Sequence, residues 1–149
     1  MIQYATRYNI PRIMEMIEAY AYENPNIKLF ANQQLHDAKY IEELLFNIIK
    51  FRGFILIDKY MRGCFIALKQ NNIWCPTLVE LHQLFWYVEP EFRGLLSGRL
   101  WKAFNKTAND LLNNKKIDLV YTSITANNIF TDFTKRGYKP IEAKFVRGT

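Results

Sequence analysis

The sequence is short of the residues that build scaffolds other than a packed core. Two cysteines, Cys64 and Cys75, cannot make a disulfide framework and fit a reducing, cytoplasmic setting. Two histidines, His36 and His82, are too few for a histidine-rich metal site, and no metal is expected. Six glycines and five prolines are scattered, with no linker, internal repeat or low-complexity tract. The longest apolar runs, at 54–57, 64–68 and 84–88, fall far short of the ~20 residues of a membrane helix, so no membrane partner is expected. The opening Met1-Ile2-Gln3-Tyr4 has no basic region ahead of an apolar stretch, which argues against a secretory signal.

What is present is apolar and aromatic. Half of the 149 residues are hydrophobic and 15% are aromatic, which excludes a disordered tail and suits one domain over 1–149. The net charge of +6 is unevenly spread. Residues 1–92 carry 9 positive and 10 negative charges, whereas residues 93–149 carry 11 and 4. A C-terminal part this basic suggests an anionic ligand, either a nucleotide phosphate or a nucleic acid backbone. A solvated, solubilising surface is the alternative.

Periodicity divides the chain into short elements. Residues 1–5 read as a strand. Asn9 as N-cap, Pro11 in the first turn, and Ile10, Ile13, Met14 and Ile17 at helical spacing predict a helix to about Tyr22. A second helix is expected over 37–51, with Ala38, Ile41, Leu45 and Ile48 on one face. Strands follow at 53–57 and 63–69 around the turn Asp58-Lys59-Tyr60. Asn71-Asn72 is a further turn, and a longer strand at 79–88 stops at Glu89-Pro90. Leu100, Phe104, Ala108 and Leu111 form one stripe of a helix over 97–113. A β-rich run at 118–124 comes next. Asn127 or Asn128 caps a short helix ending at Gly137, and 138–146 reads as a last strand. The expected order is βααβββαβαβ: an α/β (α+β) fold with a mixed, mostly antiparallel central sheet flanked by helices. Cys64 reads as core and Cys75 as exposed. Tyr20, Tyr22, Tyr40 and Trp74 are candidates to line an acceptor pocket between the first helices and the third-strand hairpin, although aromatics at these spacings are more often core.

The stretch Leu84-Phe85-Trp86-Tyr87-Val88-Glu89-Pro90-Glu91-Phe92-Arg93-Gly94-Leu95-Leu96-Ser97-Gly98-Arg99-Leu100 is the most informative. A strand passes through a tight turn and a glycine-containing loop into an amphipathic helix. The first amides of a helix have no intrahelical partner, and the helix dipole adds positive potential where they point. Such a start binds phosphate or pyrophosphate, here with Arg93 and Arg99 nearby. Glycine matters because a side chain would hold the phosphate off the amides. The competing reading is that Gly94 and Gly98 only make the turn and both arginines are solvated.

Val88-Glu89-Pro90-Glu91-Phe92-Arg93-Gly94 resembles the strand-end and loop signature of the GNAT N-acetyltransferase superfamily. The family's loop pattern Q/R-x-x-G-x-G/A is matched by Arg93-Gly94-Leu95-Leu96-Ser97-Gly98, with Leu96 where the central glycine usually stands. The run from Trp86 to Gly94, with Gly137-Tyr138-Lys139-Pro140 later, looks especially like the small acetyltransferase-like proteins encoded by bacteriophages. The order of elements matches the family over essentially the whole chain.

The resemblance implies acetyl-CoA as co-substrate and direct acetyl transfer to a primary amine of a small molecule or a protein lysine. It implies that Tyr87 and Val88 offer backbone groups to the acetyl and pantetheine arm where the fourth strand splays from the fifth. The amides from Arg93 through Gly94, Leu95, Leu96, Ser97 and Gly98 to Arg99 would cradle the pyrophosphate. Asn127 would contact the pantetheine arm, although helix capping explains it equally. His82 and Glu80 lie on one face of their strand, where family members carry a base. An imidazole suits that task, and a hydrogen-bonded structural histidine is the other reading. The usual general acid, a tyrosine, is replaced by Phe133, which cannot donate a proton, so water would serve the leaving thiolate. The resemblance leaves room for a homodimer. Two further readings stand beside it: a catalytically quiet CoA-binding regulator or host-factor inhibitor, motivated by Phe133 and Leu96, and, ranked last, a basic nucleic-acid-binding module.

Overall fold

The computed structural model describes residues 1–23, 37–124, 133–145 and 147. Its strands are β1 (Ile2–Tyr4), β2 (Gly53–Asp58), β3 (Gly63–Asn71), β4 (Val79–Val88) and β5 (Leu119–Tyr121). Its α-helices are α1 (Ile10–Glu23), α2 (Ala38–Asn47) and α3 (Leu95–Asn113). The strands lie side by side in chain order, antiparallel except for the parallel pair β4–β5.

Alternation along the strands sends side chains into two separate cores. Ile55, Ile57, Cys64 and Ile66 pack under α1 and α2, with Ile13, Met16, Leu45 and Ile48. Leu56, Phe65, Ala67 and Leu81 pack on the opposite face under α3, with Leu100, Phe104 and Ala108. Phe65 stacks on Phe104 at a centroid distance of 4.3 Å. The helical stripe read from the sequence is therefore the buried face of α3. Among the described residues, no helix is long and apolar enough to cross a membrane.

Most elements fall where periodicity puts them, and the differences have local causes. Thr6, rather than Asn9, caps the first helical turn. The Asn9 side chain turns back to accept the Thr6 amide at 2.8 Å, closing a 3₁₀ turn (Arg7–Asn9) that feeds α1. Asp37 caps α2 by accepting the Tyr40 amide at 3.1 Å, and α2 continues as one π-turn, Ile48–Arg52, up to Gly53. Gly53 has φ 145°, and a Cβ there would stand 2.0 Å from the Ala67 carbonyl oxygen, so only glycine lets β2 start against β3. α3 begins two residues earlier than expected, at Leu95. The expected last strand is not formed over 138–145: Pro140 has no amide to donate, and Ile141 and Phe145 are exposed. Gly137 does close the short 3₁₀ turn Phe133–Arg136 with φ 86°. Of the four aromatics weighed as pocket lining or core, only Tyr20 packs inward, edge-on to Phe85; Tyr22, Tyr40 and Trp74 are exposed.

Candidate functional site

β4 is the long strand on which the site is built, and its two edges are treated differently. Toward β3 it is paired from Val79 to Val88, with an extra residue, Leu84, between the pairs Ala67–Gln83 and Ile66–Phe85. Such a bulge bends and twists the strand. Toward β5 the pairing covers only Glu80–Leu119, Leu81–Val120 and His82–Tyr121. At the next step the Gln83 side chain intervenes. Its Oε1 accepts the Thr122 hydroxyl at 2.6 Å and the Ser123 amide at 3.1 Å. The strands thus fork immediately after His82, and beyond Gln83 that edge of β4 has no strand partner among the described residues.

β4 leads through a 3₁₀ turn (Pro90–Phe92) into α3. Gly94 stands at the N-cap with φ 97° and ψ −96°, a conformation open to glycine, and supplies no capping side chain. The intrahelical ladder begins with the Gly98 amide donating to the Gly94 carbonyl at 3.0 Å. The amides of 94–97 therefore precede the ladder, at the positive end of a 19-residue helix. Leu96 turns its side chain into the core beneath α3, so it does not cover them. A Cβ placed on Gly94 or on Gly98 would meet nothing within 4 Å. The donor set and the space beside it fit a diphosphate.

Arg93 is committed differently from the sequence reading. Its Nε donates to the Val88 carbonyl at 2.8 Å, its Nη2 pairs with Glu23, and the guanidinium lies 5.5 Å from the centre of the Tyr87 ring. The Arg93 guanidinium and the Val88 carbonyl are thus bonded to each other, while Arg99 stays exposed on the first turns of α3. The Tyr87 phenol is pushed above its usual range by burial and by the Glu23 carboxylate. Glu23 lies just past the helix expected to end at about Tyr22, and nothing in the sequence signals this bond.

Glu80 and His82 point away from Leu81, which lies in the α3 core, and so face the α1–α2 side. They are bonded: His82 Nε2 lies 2.9 Å from Glu80 Oε1. Asn72 Nδ2 donates to Glu80 Oε2 at 2.6 Å, and the Tyr121 hydroxyl donates to the same oxygen at 3.1 Å. The His82 hydrogen bond, opposed by burial and joined by those from Asn72 and Tyr121, holds the Glu80 carboxyl below the ordinary carboxylate range. The Tyr121 ring stacks on the imidazole at 4.4 Å and 7°. Glu80 is buried, whereas the His82 side chain retains 29% exposure, which leaves the imidazole accessible at the base of the fork. Asn72 read in sequence as a turn residue and Tyr121 as part of a β-rich run. Both reach Glu80 through pairings that spacing does not display.

Phe133 stacks on Trp101 at 5.4 Å and packs beside Tyr138, on the α3 side. Tyr138 donates its hydroxyl to Asn105 at 2.9 Å, and burial pushes the pKa of that phenol above its usual range. Asn127 and Asn128 lie outside the described residues. Cys64 is buried, which pushes its thiol far up, and Cys75 is exposed. A groove of about 370 Å³ between α1 and α2 is lined by Met14, Ile17, Glu18 and Ile41 among others, but by none of the His82 cluster.

No family model matches this sequence, and no curated protein is similar to it. Solved structures are. Over 100% of this chain, at a TM-score of 0.62 and 13% identity, it is similar to 93% of an aminoglycoside acetyltransferase from an uncultured soil metagenomic sample, solved with trehalose. At 0.61 and 13% identity, all of this chain matches 99% of a ribosomal-protein-alanine N-acetyltransferase from Brucella melitensis biovar Abortus 2308. An aminoglycoside N-acetyltransferase in complex with CoA aligns over 99% of its length, at 0.62 and 11% identity. The fold is that of the GNAT acetyltransferases.

Proposed function

We propose that this protein is an acetyl-CoA-dependent N-acetyltransferase acting on a primary amine. The observation that carries the reading is the fork of β4 from β5 leading into a helix start with no side-chain cap and clear space beside Gly94 and Gly98. A pantetheine arm would enter between the separated strands, with its diphosphate against the amides of 94–97. Fold neighbours that are acetyltransferases, one of them solved with CoA, support the same reading. Acetyl-CoA would supply the acyl group as an activated thioester.

The chain's own residues then have definable work. His82, at the base of the fork, takes a proton from the acceptor ammonium, because only the neutral amine has a lone pair to attack with. The new C–N bond replaces the C–S bond, and the second proton lost by the nitrogen reaches the departing thiolate through water, since Phe133 has none to give. Glu80 stays ionised and supports the imidazole. Free Cys64 and Cys75 fit a reducing compartment.

Calorimetry with acetyl-CoA tests the reading: saturable binding below millimolar is expected, and no heat at millimolar ligand overturns it. Phe133, half-buried and stacked on Trp101, favours a second reading, a CoA-binding protein without turnover. Acetylation of any amine in a panel, lost in His82→Ala, excludes that alternative. Binding without turnover across the panel favours it.

A further inference from the structure

The His82 cluster carries an inference that deepens this reading and rests on it for its chemistry. We infer that Asn72 and Tyr121 are positioning residues that clamp the Glu80 carboxylate, so that His82 keeps its proton on Nε2 and works as a base through Nδ1. Each link in that chain is fixed by a hydrogen bond.

Asn72 is oriented from both ends. Its Oδ1 accepts the amides of Trp74 and Cys75, each at 2.8 Å, so the amide group can turn only its Nδ2 toward Glu80. The turn that holds it is itself braced, by the Asn72 amide on the Leu78 carbonyl at 2.9 Å and by Asn71 Nδ2 on the Pro76 carbonyl at 2.6 Å. From the other side the Tyr121 hydroxyl donates to the same carboxylate oxygen while its ring covers one face of the imidazole. With Oε2 held by two donors, Oε1 is left to accept from His82 Nε2. A carboxylate offers no proton, so Nε2 must carry one. In the neutral ring Nδ1 then holds the free lone pair.

A lone Glu80–His82 pair would not give this result. The carboxylate could rotate, and a mobile imidazole could present either nitrogen. The parts come from three places: the β3–β4 turn, β4 and β5. The parallel register that places Tyr121 opposite His82 is therefore what assembles the cluster.

The test is nitrogen-15 spectroscopy of the His82 ring in the full-length protein without any ligand, at a pH where the ring is neutral. The expected wild-type spectrum has a pyridine-like Nδ1 and a pyrrole-like Nε2. Glu80→Gln should lower the Nε2–H to Nδ1–H ratio by roughly tenfold, the equivalent of losing a hydrogen bond to a charged group. Tyr121→Phe, which keeps the ring stack and leaves the β3–β4 turn intact, and Asn72→Ala should each lower it by about threefold, a smaller share of the same interaction. A wild-type ring protonated on Nδ1 overturns the proposal. So does a ratio unchanged in Tyr121→Phe, even if Asn72→Ala fails to fold. No co-substrate is needed, so this result is independent of the calorimetry: failure there removes the proposed function, and failure here removes only the positioning role.

Discussion

Asp58 and Glu80 are the charged side chains buried among the described residues, and each stays ionised because donors surround it. Asp58 is gripped by Arg62 through Nε at 2.6 Å and Nη2 at 3.0 Å, and it also accepts the amides of Tyr60 and Arg62. Arg62 lies between the rings of Tyr60 and Phe92. The hydrogen bond from Arg62 holds the Asp58 carboxyl below its ordinary 3.8, as the one from His82 holds Glu80 below 4.5. A carboxyl whose pKa is lower in the folded than in the unfolded state adds stability that is complete above the unfolded pKa. That stability drains away as pH falls through the folded one. Urea midpoints should therefore be insensitive to these groups above about pH 5 and should fall below pH 4.5. Asp58→Asn should lower the neutral-pH midpoint and flatten the acid limb; a wild-type midpoint unchanged down to pH 3 would contradict this. Both acids are plain polar letters in the sequence, one in a turn and one near a strand start. Their burial depends on partners in neighbouring turns and strands, which is why spacing did not reveal it.

At the scale of elements, the join between β4 and α3 was legible because it is local. Val-x-Pro stops a strand, glycine turns the chain, and the following stripe has helical period. The fork between β4 and β5 is implied by the family resemblance and not by periodicity, since the Gln83 side chain that takes the Thr122 hydroxyl and the Ser123 amide leaves no periodic trace. The two loop glycines separate what the fold needs from what a ligand would need. Gly94 sits at φ 97°, so Gly94→Ala should cost about 1–3 kcal/mol in chemical denaturation. Gly98 is helical, and nothing within the protein crowds it. Gly98→Ala should therefore stabilise the protein by about 0.5–1 kcal/mol while weakening acetyl-CoA binding. A variant both more stable and equally tight in binding would remove the glycine from the proposed site.

At the scale of the molecule, the described residues form two helical layers on one five-stranded sheet, α1 and α2 on one face and α3 on the other. Phe104 is the centre of that layer, fully buried against Phe65. Phe104→Ala should cost about 3–5 kcal/mol, read as a lower urea midpoint, because the cavity has little around it free to collapse. The proposed cofactor cradle stands on the same helix, so on that proposal binding and stability should be lost together in that variant. Helix and strand periods were sufficient to order the layers, since each element shows an apolar side. They were insufficient for residues 138–145, where apolar Ile141 and Phe145 suggested a strand that proline and exposure prevent. The most direct test of the account follows the backbone amides by nitrogen-15 NMR during a CoA titration. The largest shifts should fall on Gly94, Leu95, Leu96 and Ser97 and should saturate together; unmoved signals from these four residues at millimolar CoA would contradict the account.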